Sequence, residues 1–273
     1  MKDLRDKVAV VTGAGSGIGR ATSLALAEKG CHLAVADVKE DALRETAQMI
    51  VGKGRKASVH VVDVANREQM AAFAQAAVGA HGAAHVLVNN AGVSVSAPFE
   101  YQSLEDFAWL IGINFWGVVY GCKFFLPHLK AAGEGHIVNL SSVFGITGPP
   151  TQSSYAAAKF AVRGFSESLR TELEPYRIGV TSVHPAAINT NIVREARWTD
   201  VEQKGLRQKS IAFFEKHGVG PEVVAAAIVR GIERNAARVL VPGEARFIDI
   251  LKRLFPVGAN RFFNAIARKQ GLI

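Results

Sequence analysis

Cysteine is nearly absent from this chain: Cys31 and Cys122 are the only two in 273 residues. Both lie in apolar runs and no Cys-x-x-Cys pair occurs, so there is neither a disulfide framework nor a cysteine metal cluster. Two buried thiols in a reducing compartment are the expectation. No stretch approaches the ~18 uncharged apolar residues that a membrane span needs. Met1–Asp6 is short and charged and no signal peptide precedes the first apolar run, so a cytoplasmic protein is expected by default. Acidic residues are in deficit, 24 against 32 Lys and Arg, for a net charge of +8. Residues 244–273 hold six of the basic side chains and two acidic ones, a net +4, so half of the excess sits in the tail. No nucleic-acid motif or aromatic-interleaved basic stripe accompanies it, and nucleic-acid binding is not expected. No repeat, long linker or low-complexity run divides the chain, which reads as one domain.

What is present is alternation. Continuous apolar runs at Lys7–Thr12, His32–Asp37, Ala57–Asp63, His85–Asn89, His136–Leu140, Gly179–His184 and Arg238–Val241 read as strands buried on both faces. Helical periodicity fills the gaps at Gly17–Lys29, Glu40–Lys53, Arg67–His81, Leu104–Ala131, Ser154–Tyr176 and Pro221–Asn235. The pattern predicts an α/β fold of the Rossmann type, a doubly wound, seven-stranded parallel sheet. Residues 1–243 would form the dinucleotide-binding and catalytic domain. Residues 188–219, a substrate loop, and 244–273, an amphipathic helical extension, depart from the alternation.

Thr12-Gly13-Ala14-Gly15-Ser16-Gly17-Ile18-Gly19 follows the first strand and opens the first helix. Glycines let backbone approach a ligand where a Cβ would clash, and a helix N-terminus offers free N–H groups to a pyrophosphate. Strand, glycines and helix in this order predict a dinucleotide cradle formed by Gly13, Gly15, Ser16, Gly17, Ile18 and Gly19. Asp37 ends the second strand. A carboxylate there accepts hydrogen bonds from adenosine ribose hydroxyls and repels a 2′-phosphate, which favours NAD over NADP. Lys39 is the one nearby cation and weighs the other way.

The turn, Asn89-Asn90-Ala91-Gly92, Asn114, Ser142 and Tyr155-Ala156-Ala157-Ala158-Lys159 occur in one order that resembles the classical short-chain dehydrogenases/reductases over about residues 5–243. The resemblance implies a catalytic set of Asn114, Ser142, Tyr155 and Lys159. It implies that Asp63 and Val64 hold the adenine, and that Asn90, Ala91 and Gly92 lie beside the ribose. The stretch from Pro185, with Ile188 and Thr190, would meet the nicotinamide amide. Ala186 stands where the family usually has glycine. Ser142, thirteen residues before Tyr155, matches the family's serine, and Ser141 reads as its structural neighbour. Homodimers or homotetramers are implied, through the helices at 104–131 and 154–176.

The chemistry agrees with these residue types. A phenol with an ordinary pKa of about 10 is a poor base at neutral pH, and a nearby cation lowers that value. Lys159, four residues on, shares a helix face with Tyr155. Hydride transfer between NAD(H) and a secondary alcohol or ketone follows, with Tyr155 as acid/base, Ser142 on the substrate oxygen and Asn114 anchoring a proton relay by resemblance. An NADP-dependent ketone reductase and a non-catalytic nucleotide-binding scaffold are the alternatives. Ser94, Val95, Ser96, Phe144, Ile146, Pro149, Trp198, Phe213 and Phe214 are the expected substrate lining, and their apolar character suggests a hydrophobic substrate such as a steroid, lipid or terpenoid. In the tail, Phe247, Ile248, Ile250, Leu251, Leu254 and Phe255 recur at near-helical spacing opposite Asp249, Lys252 and Arg253; Pro256 and Gly258 interrupt, and a second basic amphipathic segment runs from Arg261 to Lys269. Three placements stay open: packing on the protein's own surface, packing at a subunit interface, and peripheral contact with an anionic membrane.

Overall fold

A computed structural model describes residues 1–198 and 204–269; residues 199–203 of the expected substrate loop and 270–273 of the tail lie outside the described residues. The strands are β1 (Val8–Thr12), β2 (His32–Asp37), β3 (Ala57–Val61), β4 (Val86–Asn89), β5 (Val95–Ser96), β6 (Gly135–Leu140), β7 (Ile178–Pro185), β8 (Arg197–Trp198) and β9 (Arg238–Val241). The helices are α1 (Gly17–Glu28), α2 (Glu40–Gly52), α3 (Arg67–His81), α4 (Leu104–Ile111), α5 (Gly117–Ala131), α6 (Ser153–Leu173), α7 (Lys204–His217), α8 (Pro221–Glu233), α9 (Gly243–Leu254) and α10 (Gly258–Lys269).

Seven strands form one sheet in the order β3-β2-β1-β4-β6-β7-β9, and every pairing in it is parallel. This is the expected doubly wound Rossmann-type sheet. Strands such as Val8-Ala9-Val10-Val11 are wholly buried because helices cover both faces. One core lies between the sheet and α1, α2 and α8, through Leu26, Leu43, Ile50 and Ile228. The other lies beneath α3, α5 and α6, through Phe73, Phe125, Leu129 and Val162. Cys31 and Cys122 are buried and unpaired, and burial pushes both thiols up to about 12. The strand order reverses between β1 and β4, so the crevice for a ligand opens at the carboxyl ends of the central strands.

Three departures from the sequence reading have physical causes. The helical stretch Leu104–Ala131 is long and apolar enough, by length and composition, to cross a membrane, where the sequence reading found no such stretch. It instead lies along the fold with Val118, Cys122, Phe125 and Leu129 in the core. The same stretch is not one regular helix: at Gly112–Trp116 it widens to a π-turn, with the Gly117 N–H reaching back to the Gly112 carbonyl. Residues 188–219 carry β8, which pairs in parallel with β5, followed by α7.

Two buried histidines make stability depend on acid. Burial pushes His136 down to about 3 and His184 down to about 4, from 6.5. Between pH 6.5 and about 4 the unfolded chain therefore binds protons that the folded chain refuses. Stability is complete above that window and falls as pH falls through it, by up to about 1.4 kcal/mol per pH unit for each histidine. Urea unfolding across this range is expected to show the decline, with a shallower slope for His184→Gln; an unchanged slope would contradict the assignment.

Candidate active site

The carboxyl ends of β1, β4, β6 and β7 deliver the site. After β1 the glycine turn enters α1, and its tightness is visible at two positions. Gly13 has φ +64, and a Cβ there would lie 2.8 Å from the Ala91 Cα. A Cβ on Gly19 would lie 2.0 Å from the Gly13 carbonyl oxygen and 2.5 Å from Asn90 Nδ2. Asn90 holds the turn from β4 by donating from Nδ2 to the carbonyls of Thr12 (2.9 Å) and Gly13 (3.1 Å). Thr12 Oγ1 in return accepts from the Asn90 and Ala91 N–H groups. Gly15, Ser16, Gly17 and Ile18 line the cavity that this turn opens onto.

Asp37 lies at the far end of that turn. Its carboxylate accepts from the Gly15 N–H at 2.9 Å and the Lys39 N–H at 3.1 Å. Lys39 Nζ is engaged 2.7 Å from Glu195 of the substrate loop. Arg20, a cation that sequence reasoning passed over, also lines this end of the cavity. Its guanidinium is spent on the Gly15 and Ala42 carbonyls, Thr46 Oγ1 and Glu45. Asp63 lines the cavity and caps its own turn by accepting from the Ala65 N–H, while Val64 packs against Gly117. Pro185, Ala186, Ile188 and Thr190 wall the opposite side, with Thr190 Cγ2 3.3 Å from where a Gly17 Cβ would stand. The space among these residues fits a dinucleotide, because the glycine turn opens onto it at a helix N-terminus; Gly19 does not line it and serves by letting the turn pack against the Gly13 carbonyl and Asn90.

The four expected catalytic residues converge beyond Gly92. A Cβ on Gly92 would lie 3.2 Å from Asn114 Oδ1 and 3.6 Å from Lys159 Nζ. Asn114, in the π-turn, spends its side chain on both backbone groups of Val93, at 2.8 Å each. Lys159 is buried on α6, donates to the Leu140 carbonyl at 2.8 Å and holds its ammonium 5.5 Å from the Tyr155 ring centre. Burial pushes Tyr155 up to about 12, partly offset by hydrogen bonding with Ser142, and pushes Lys159 down to about 8. The tyrosine shift runs opposite to the lowering expected from a neighbouring cation. Desolvation of the phenolate raises it by more than the hydrogen bond with Ser142 lowers it.

Ser142 is held by its surroundings: its Oγ accepts from the Phe144 N–H at 3.1 Å, and its carbonyl lies 3.0 Å from His184 Nδ1. Ser141 has the structural part expected of it, donating to the Lys159 carbonyl at 2.8 Å. Sequence reasoning did not find His184, because a histidine inside an apolar strand carries no motif.

One cavity of about 990 Å³ joins the nucleotide cradle to the substrate end. Ser94, Ser96, Phe144, Pro149, Trp198, Phe213 and Phe214 line it as expected. Val95 and Ile146 do not: both are buried behind the wall, Val95 because the β5–β8 pairing turns it into a small core with Leu110 and Ala158. The tail supplies lining that the sequence left undecided, namely Glu244 and Ile248 of α9 and Phe263, Asn264, Ile266 and Ala267 of α10.

A family model described as short chain dehydrogenase matches residues 7–200. The SadH protein of Mycobacterium tuberculosis is 42% identical over 275 residues, covering 96% of this chain and 99% of that protein. The "C alpha-dehydrogenase" of Sphingobium sp. is 36% identical, covering 90% and 84%. A crystal structure of a short chain dehydrogenase/reductase from Burkholderia phymatum in complex with NAD superposes with a TM-score of 0.87 at 31% identity, covering 93% of this chain and 95% of that one.

Gly19→Ala is expected to weaken NADH binding by about a hundredfold or more, since its Cβ has no room without moving the turn. Gly79→Ala is the control: it lies within α3 with open space around it and is expected to stabilise by about 0.5–1 kcal/mol without touching binding. Fluorescence titration and thermal unfolding read the two, and wild-type NADH affinity in Gly19→Ala would contradict the cradle.

Proposed function

Because the chain belongs to the short-chain dehydrogenase family of oxidoreductases, we propose that it transfers a hydride between NAD(H) and a hydrophobic secondary alcohol or ketone. The observation that carries this reading is the cavity in which the glycine turn, the Ser142–Tyr155–Lys159 group and an apolar pocket meet. When bound, the oxidised nicotinamide would accept the hydride and bring a positive charge to the pocket.

The protein's own residues supply the proton chemistry and the orientation. The glycine turn and Asn90–Gly92 would hold the cofactor's centre, Asp37 its adenosine ribose, Asp63 and Val64 its adenine, and Pro185, Ile188 and Thr190 its amide end. The Ser142 hydroxyl donates to the substrate oxygen. Tyr155 takes the alcohol proton as the carbonyl forms, and returns it in reduction. Lys159 stabilises the phenolate, because a buried ammonium interacts more strongly than one in water. Asn114 holds the Val93 backbone in register with Lys159 and anchors the relay that resupplies the proton.

NAD is favoured over NADP by Asp37, whose carboxylate faces the nucleotide end, and by the engagement of both nearby cations, Lys39 and Arg20, with other groups. The apolar lining, from Phe144 through Phe213 to Phe263, favours a lipophilic substrate over a charged one. A homodimer through α4–α6 is supported by an aromatic array on that face, where Trp116 stacks on Tyr120 and Phe160 is exposed. A paired titration with NADH and NADPH is expected to favour NADH by about tenfold or more, since like charges at the ribose cost binding. Preference for NADPH would overturn the Asp37 argument and leave an NADP-dependent reductase. An alcohol screen with NAD⁺ is expected to favour lipophilic secondary alcohols, and preference for small charged polyols would sink the substrate class.

A further inference from the structure

The helices α9 and α10 have two unlike sides. Their inner side closes the substrate end of the cavity through Ile248, Phe263, Ile266 and Ala267. A hydrogen bond of 2.8 Å from Thr147 Oγ1 to Asn260 Oδ1 ties the first turns of α10 to the loop that follows Ser142. The other side is apolar where a soluble helix is ordinarily polar. Phe247, Ile250 and Leu254 share a stripe of α9 at i, i+3 and i+7, and are 58%, 56% and 67% exposed. Phe255, Val257 and Phe262 continue the exposed series into α10.

The residues that α9 buries fully are Ala245 and Asp249. Asp249 pairs with Arg238 at 2.9 Å and Arg253 at 3.0 Å. Burial raises its carboxyl, but the two guanidinium groups outweigh this and hold it below the ordinary value. The helix is thus fixed to β9 by an ion pair, and Phe247, Ile250 and Leu254 are left outside. Arg246, Arg253, Arg261, Arg268 and Lys269 are exposed among them, with Glu244 the one exposed acid on these two helices.

Charge decides what covers this surface. A symmetric contact between two copies places a patch against itself, so five exposed cations would face five more. The aromatic face of α5 and α6 suits a second copy better, since the exposed charges on these helices are of both signs, Lys123 and Lys130 with Glu167 and Glu172, and can pair across a symmetric contact. Exposed hydrophobic side chains flanked by arginines suit the boundary between headgroups and acyl chains of an anionic bilayer, where the guanidinium groups reach phosphate and the apolar groups leave water.

We propose that the α9–α10 hairpin docks the protein on an anionic lipid surface and that a lipophilic substrate enters the cavity from the bilayer past α10. Ile266 both lines the cavity and is partly exposed, which places the cavity rim at the docking surface. The entry route rests on the lipophilic-substrate reading above, whereas docking itself does not.

Flotation of the full chain with vesicles tests it. Binding is expected to vesicles of phosphatidylcholine mixed with phosphatidylglycerol, to be weak on phosphatidylcholine alone, and to fall steeply with added salt. Arg246→Gln/Arg261→Gln/Arg268→Gln is expected to lower partitioning about a hundredfold, at about fivefold for each cation lost near the surface. Phe247→Ser/Leu254→Ser/Phe262→Ser is expected to abolish it, with NADH binding and subunit number unchanged in both variants. Three results would overturn docking: no binding of the wild-type chain to anionic vesicles, wild-type binding by either variant, or a change in subunit number in the Phe247/Leu254/Phe262 variant, which would make the hairpin a contact between copies. Vesicle binding by a chain that prefers small charged alcohols would remove the entry route and the substrate class while leaving docking in place.

Discussion

Much of this site depends on holding two ionisable side chains against the core at the cavity wall, Lys159 buried and Tyr155 half-buried. Tyr155 and Lys159 are both disfavoured as ions in the pocket, one pushed up to about 12 and the other down to about 8. A positive charge bound in the same cavity would move the two in one direction, favouring the Tyr155 phenolate and further disfavouring the Lys159 ammonium. The packing around them fixes that placement. Lys159 is tied to the Leu140 carbonyl, and Ser141 to the Lys159 carbonyl, so α6 is stitched to the end of β6. Gly145 is the residue that lets them approach, since a Cβ there would lie 2.3 Å from Ser141 Oγ and 2.6 Å from the Lys159 carbonyl oxygen.

The nucleotide end is built by the same logic of close approach. Gly13 and Gly19 make room for backbone against backbone, and Asn90 occupies the space with an amide that satisfies two carbonyls of the turn. The additions to the scaffold then meet over the open end. The loop after β7 is pinned at Lys39–Glu195 on one side and at Arg197–Asp106 on the other, and Arg197 also lies 3.5 Å over the Trp109 ring. The tail closes the remaining side. Two segments that interrupt the alternation of strands and helices thus line one cavity.

How much of this the sequence disclosed follows from the range of the interactions. The sheet was legible because burial on both faces forces unbroken apolar runs such as Val8–Val11. The glycine turn, Tyr155 and Lys159 were legible because their geometry is local: a tight turn needs glycine, and four residues make one helix face. What depended on distant packing was hidden. Val95 and Ile146 lie in the right loops, but their side chains point behind the cavity wall. Arg20 reads as an ordinary helix residue until α2 places Thr46 and Glu45 beside it. The π-turn at Asn114 has no periodic signature. The amphipathic spacing of α9 gave its two faces but not which one turned inward, because the pairing of Asp249 with Arg238 fixes that choice from another element.

The central claim is that Tyr155 moves the proton in an otherwise intact binding site. The direct test is Tyr155→Phe, with NADH affinity and single-turnover hydride transfer measured on the same preparation. The account predicts NADH affinity within about twofold of wild type and a loss of transfer on the order of a thousandfold, the scale of a missing acid/base group. Transfer at a near wild-type rate, or a parallel collapse of NADH binding, would contradict it.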